Sequence, residues 1–203
     1  MRKLVLLVPA FACMFFAQLA SAQQADAMFG FNTMLSSGST SCNPLTASCV
    51  IPEKGGLYPS ISADVIFHKR MGFDFESTWR GSQGNYADLG VPYRPIIFAF
   101  NGMYQPRIGK KLGLDLMGGI GWQSTRFYGY QPTSNCVYYG ACYTSSNHFL
   151  VDLGGGVRYY VWNHLFVRPE IHYYYVLNNT DAFSNSNIFR VGASIGYTIG
   201  GPE

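Results

Sequence analysis

Phe189-Arg190-Val191-Gly192-Ala193-Ser194-Ile195-Gly196-Tyr197-Thr198-Ile199 is the stretch whose reading decides the fold. Phe189, Val191, Ala193, Ile195, Tyr197 and Ile199 share one parity. Arg190, Gly192, Ser194, Gly196 and Thr198 share the other. Successive side chains of a strand point to opposite faces, so the segment is a strand with one bulky apolar face and one small or ionic face.

The pattern repeats upstream. Leu165, Val167, Ile171, Tyr173, Tyr175 and Leu177 oppose Arg168, Glu170, His172 and Tyr174. Phe149, Val151, Leu153, Val157 and Tyr159 oppose Asp152, Gly154, Gly156 and Arg158, and Leu112, Leu114, Leu116, Ile120 and Trp122 oppose Asp115, Gly119 and Gly121. Ile61, Val65, Phe67, Phe73, Phe75 and Trp79 stand against Ser60, Ser62, Asp64, Asp74, Glu76 and Arg80. Eight strands are expected in all, over 25–34, 57–68, 72–80, 94–106, 112–127, 148–162, 165–178 and 188–200, the first and fourth alternating least cleanly.

A soluble barrel would put its apolar parity inside and its charged parity in water. Here the polar parity is rich in glycine and carries both signs of charge, which suits the crowded inside of a narrow barrel. The apolar parity suits lipid. Turned to water, it would expose about twenty large apolar side chains, more than a soluble surface tolerates. The breaks after the second, fourth and sixth strands are tight, and those after the first, third, fifth and seventh are long and rich in Ser, Asn, Gly and Tyr. That alternation is the asymmetry of an outer-membrane barrel with short turns and both termini in the periplasm. The fold class is therefore all-β, an eight-stranded antiparallel up-and-down transmembrane barrel.

The start of the chain agrees. Arg2 and Lys3 precede the apolar stretch Leu4–Phe16, and Ala20-Ser21-Ala22 offers a small-x-small cleavage pattern. Residues 1–22 read as a cleaved signal peptide and 23–203 as the barrel domain. An uncleaved anchor would need a longer apolar run. A lipoprotein signal at Cys13 fits badly with Phe11 two positions before it. Of the whole chain 12% is charged, with 14 Lys and Arg against 11 Asp and Glu. Loss of Arg2 and Lys3 brings these to near balance. No clustered basic surface for nucleic acid is present in the sequence.

In its architecture the chain resembles the small eight-stranded outer-membrane β-barrel family, the OmpA membrane domain and OmpX-like proteins. The likeness covers residues 25–200. Arg190-Val191-Gly192-Ala193-Ser194-Ile195-Gly196-Tyr197 looks like that family's last-strand signal for the barrel-assembly machinery. The family usually stops at a terminal aromatic, whereas this sequence runs on through Gly200-Gly201-Pro202-Glu203. No peptidoglycan-binding domain is read after the barrel, so the anchoring role of larger relatives is not carried over.

Four cysteines follow the signal: Cys42 and Cys49 in the first long loop, Cys136 and Cys142 in the third. Four allow three pairings. Two local disulfides, Cys42–Cys49 and Cys136–Cys142, are the preferred reading in an oxidising envelope, with loop-to-loop pairing open. A metal held by all four lacks the flanking histidines such sites use.

Asp64, Asp74, Glu76, Asp115, Asp152, Glu170, Arg80, Arg158, Arg168, Arg190 and His172 are expected to form an interior polar network. Charges in a narrow, low-dielectric lumen must pair. No cofactor, metal or catalytic set is expected. Some barrels of this size modify lipid A, which needs a nucleophile and base at the lipid-facing rim. Ser124, Ser146 and His148 lie near outer strand ends, yet neither the His-x-Ser pair of the deacylases nor the acyltransferase set is present. Trp79, Trp122, Tyr173 and Tyr175 are expected in the interfacial girdle. Lys69, Arg70, Lys110 and Lys111, with Arg107 close by, mark the short turns, either as charges that meet anionic headgroups or as ordinary solvated turn charges.

The expected role is structural or surface-interacting, with disulfide-braced loops shown to the outside. A small pore is the alternative and a lipid-modifying enzyme the third reading. Expected partners are outer-membrane lipids and lipopolysaccharide, the assembly machinery and an extracellular ligand of the loops.

Overall fold

The structure is a computed structural model that describes residues 24–43, 48–68, 70–86, 91–128 and 143–200. Eight long strands make the wall: β1 (Gln24–Leu35), β4 (Tyr58–His68), β5 (Met71–Trp79), β7 (Val91–Tyr104), β8 (Leu112–Tyr128), β9 (Tyr143–Tyr160), β10 (Leu165–Val176) and β11 (Asn187–Ile199). Three short pieces, β2 (Ser41–Asn43), β3 (Ser48–Val50) and β6 (Gly84–Tyr86), belong to the long loops. Each long strand pairs antiparallel with its neighbours in the chain. Pairing of β1 with β11, from Ala25↔Ile199 to Leu35↔Phe189, closes the ring. Closure pairs the strands on both sides around the barrel wall, as hydrocarbon demands.

The parity read from the sequence is the wall's in and out. Phe29, Phe73, Phe100, Leu116, Trp122, Leu153, Ile171 and Ile195 are among the exposed large side chains that girdle the outside. Inward glycines make room for larger neighbours. A Cβ on Gly154 would stand 2.6 Å from the His172 ring, and one on Gly192 would stand 2.1 Å from Asn32 Oδ1.

Several strands run further than expected. β7 starts at Val91, and β8 and β9 pair out to Tyr128↔Tyr143. Polar Thr144, Ser145 and Asn147 hid the start of β9. Alternation is a burial signal, and a two-stranded ribbon wet on both faces does not carry it. β2 and β3 are three residues each, too short to show a period.

The interior also holds apolar clusters, which the polar parity alone did not announce. Ile66, Met103 and Met117 form one on the wall made by β4, β7 and β8, with Gln105 and Asp115 nearer the short turn than the two methionines. Ionic residues fill much of the rest. Towards the long-loop end Met34, Tyr58, Ile97, Leu150, Tyr174, Val176 and Ile188 form a second apolar cluster.

Candidate functional site

The lumen at mid-height is an ion-pair lattice organised by three arginines. Arg158, on β9, donates to Asp26 of β1, to Asp64 of β4 at 2.9 Å and to Asp115 of β8 at 3.0 Å. Its guanidinium lies 4.1 Å over the Phe166 ring, which closes the remaining face. Gln24 donates to Asp26 at 2.8 Å and Gln105 to Asp115 at 3.1 Å. Arg168, on β10, reaches Asp64 at 3.2 Å, Asp115 at 3.5 Å and Glu170 at 2.7 Å. Arg190, on β11, joins Glu76, Glu170 at 3.2 Å and the Thr78 hydroxyl at 2.7 Å. These charges are almost wholly withdrawn from solvent. Burial of this kind is tolerated only because each guanidinium serves several carboxylates at once.

His172 Nδ1 sits 3.0 Å from Asp152. Asn101 bridges two acids, donating to Asp152 at 2.8 Å and to Asp74 at 3.0 Å. Glu76, Glu170 and His172 bring potential ligand atoms within 4.8 Å of one another. Arg190 Nη2 already lies 2.8 Å from Glu76 and 3.2 Å from Glu170, so this cluster is neutralised by guanidinium.

Arg80 stands apart from the lattice. It follows the last residue of β5 and donates to the Tyr93 hydroxyl at 2.6 Å at the long-loop mouth. Strand parity carries it inward, but one level above the lattice. Its counter-charge there is Glu53, which arrives from the first loop and is fully buried. Gln123 donates to Glu53 at 2.8 Å. Burial pushes the Glu53 carboxyl up to about 7, against the lowering effects of Gln123 and Arg80. Phe183, Ala182 and Tyr93, with Ile51, Tyr86 and Phe127, pack as an apolar roof. Ile51 bridges Phe183, and Ser184 N–H donates to Ile51 O at 2.9 Å, so the first and last loops are joined across the mouth.

Sequence reasoning missed Asp26, Gln24, Asn101, Glu53 and Gln123. Asp26 lies in the first strand between Ala25 and Ala27, too small to mark a lipid face. Glu53 lies in a loop, where no period operates. Cys42 and Cys49 sit opposite each other on β2 and β3 and form a disulfide. Cys136 and Cys142 lie outside the described residues, as do the signal segment and Lys69.

Among the rim candidates, Ser146 Oγ and His148 Nε2 are 2.6 Å apart, two residues along one strand. Among the described residues no carboxylate orients that histidine, and Ser124 is across the ladder opposite Asn147. A base without an orienting group is half of an acyl-transfer site. Trp122 points outward and stacks on Phe98 at 4.9 Å, as an interfacial side chain does.

The architecture so built is that of the small eight-stranded outer-membrane barrels. Neisserial surface protein A superposes with a TM-score of 0.58 at 13% identity, over 86% of this chain and 95% of that one. The N-terminal barrel domain of Pseudomonas aeruginosa OprF gives 0.55 at 11%, over 88% and 98%. The attachment invasion locus protein Ail of Yersinia pestis gives 0.54 at 9%, over 88% and 99%. No family model and no curated protein matches the sequence.

Proposed function

We propose that the chain is an outer-membrane barrel whose wall and lumen are scaffold and whose work is done by the surface its long loops build outside the cell. The termini and short turns then face the periplasm, and the exposed belt meets phospholipid and lipopolysaccharide. The observation that carries this reading is the unequal investment in the two ends. The lumen is cross-linked shut, while the long-loop end holds a disulfide hairpin, an aromatic roof and a projecting ribbon.

The ribbon offers a particular contact surface. β9 pairs with β8 out to Tyr143 but with β10 only as far as Leu150. The backbone of 143–148 therefore has an open edge on its β10 side among the described residues. An open edge is a template for an extended segment of another protein.

Purified protein should shift on a gel between unboiled and boiled samples, give a β-type circular dichroism spectrum, and conduct no steady current in a planar bilayer. Steady conductance with a defined open state would overturn the scaffold reading in favour of a pore. For the loop surface, the purified barrel should retain extended peptides from a random peptide library. Proline at Ser145 and Asn147 should abolish that retention without changing the gel shift. Retention untouched by those prolines, or no retention at all, would overturn it.

A further inference from the structure

Among the described residues, the short-turn end contains a built recess. After β7, the N–H groups of Ile108 and Gly109 donate to Leu112 O at 3.0 and 3.1 Å, and Leu114 N–H donates to Pro106 O at 2.9 Å. After β9, Val161 and Trp162 N–H donate to Leu165 O at 2.9 and 3.2 Å. Tyr160 N–H donates to Lys111 O at 2.9 Å and ties the two turns together. Both walls are thus held by backbone bonds before any ligand arrives.

Between them lies a cavity of about 420 Å³ lined by Arg107, Lys110, Lys111, Tyr160, Trp162 and Asn163, among others, with no carboxylate among the described residues of its lining. That is the size range of small-ligand sites. Trp162 is 68% exposed and also walls a shallower recess with His164, Leu165 and Tyr197. Ile199, Tyr197 and Val161 are exposed members of the apolar belt at this end. Cationic side chains, an aromatic ring at the edge of the belt and a recess therefore coincide at the level where hydrocarbon gives way to water. Trp and Tyr favour that level, and each nearby basic residue adds about 1 kcal/mol of attraction for anionic lipid.

We propose that this recess binds the phosphate headgroup of an anionic glycerophospholipid from the leaflet at the short-turn end. Lys110 and Lys111 face the phosphate, and Trp162 covers the glycerol and the first part of an acyl chain. A glycerophospholipid fits better than a bare anion because the lining joins cations to an exposed indole continuous with the belt. The inference rests on the reading above that the strands cross a membrane with their short turns in the periplasm.

The test is native mass spectrometry of the detergent-solubilised mature barrel titrated with phosphatidylglycerol, phosphatidylcholine, lipid A and inorganic phosphate. Phosphatidylglycerol should be retained over phosphatidylcholine by about tenfold or more. Lys110→Ala with Lys111→Ala should cut that retention by about tenfold, Trp162→Ala should weaken it, and Lys54→Ala at the opposite end should leave it unchanged. Equal retention of the two phospholipids, preference for lipid A, or displacement by inorganic phosphate alone would each overturn the proposal. Every variant is first checked for the boiled-against-unboiled gel shift. A wild type without that shift defeats the membrane-barrel reading itself, whereas a shifting barrel blind to headgroup charge defeats only this inference.

Discussion

The middle of the lumen and its long-loop mouth both bury acids, and they do so on opposite terms. At mid-height Asp64 and Asp115 each touch two arginines, and every arginine touches at least two acids on different strands. At the mouth Glu53 has one hydrogen bond, from Gln123, and among the described residues no arginine within ion-pair distance; its Oε1 has no partner, as Asp74 Oδ1 in the lumen also has none. The lattice is made of strand residues whose positions are set by backbone pairing. The roof is made of loop residues, with Gly55 and Gly56 at φ of 68° and 87° just after Glu53. Redundant pairing makes the lattice a brace between strands. Single bonding makes the roof a separable part that answers to conditions the lattice ignores.

The sharpest way to break that comparison is to remove a lattice hub. Arg158→Ala leaves Asp26, Asp64 and Asp115 in a dry interior with one guanidinium fewer. Loss of one member of a buried pair costs about 3–5 kcal/mol. The expected outcome is a large drop in the urea midpoint of the barrel in lipid, with or without ion leak in a planar bilayer. An unchanged midpoint would show that the acids are held by something other than Arg158.

The next effect belongs to the mouth and appears as a pH dependence. Glu53 has a folded value of about 7, above its ordinary 4.5. Its neutral form therefore contributes stability that is fully present below about 4.5 and is lost as pH rises through about 7. The difference corresponds to about 3 kcal/mol as an upper figure. Urea midpoints, or protease resistance of the loops, should fall between those pH values in the wild type. In Glu53→Gln the fall should vanish, because the amide imitates the neutral acid. If wild type and variant share one pH profile, the carboxyl is not the group that holds the roof.

The same division explains what could be seen beforehand. Wall and lattice obey period two, so Asp64, Asp74, Glu76, Asp115, Asp152, Arg158, Arg168, Glu170, His172 and Arg190 could be assigned to one face from spacing alone. The first strand escaped where alanines stood on its lipid face, and Asp26 escaped with it. The apolar cluster on the long-loop side of the lattice was hidden because Met34, Ile97, Leu150 and Ile188 look the same inside a barrel as outside it. Arg80 kept the parity but not the level, since height along the lumen depends on where β5 stops. Ile51 and Phe183 are brought together from loops far apart in the chain, and no local pattern records such a meeting. The β8–β9 ribbon was shortened for a related reason, its outer residues having no buried face to betray them.

The smallest expected effect separates loop from wall most cleanly. The Cys42–Cys49 disulfide joins residues seven apart on β2 and β3, which pair only with each other. A ring that short restricts the unfolded chain modestly, by about 2 kcal/mol, and that restriction falls on the hairpin and not on the ladder of long strands. Cys42→Ser with Cys49→Ser should therefore leave the urea midpoint of the barrel, its gel shift and its electrical silence nearly unchanged. The change should appear as faster protease cleavage between Ser41 and Val50. Local opening of this kind tracks the stability of the opened unit rather than that of the whole fold. A matching fall in the barrel midpoint would mean that the hairpin also braces the wall, and the separation of mouth from lumen would have to be given up.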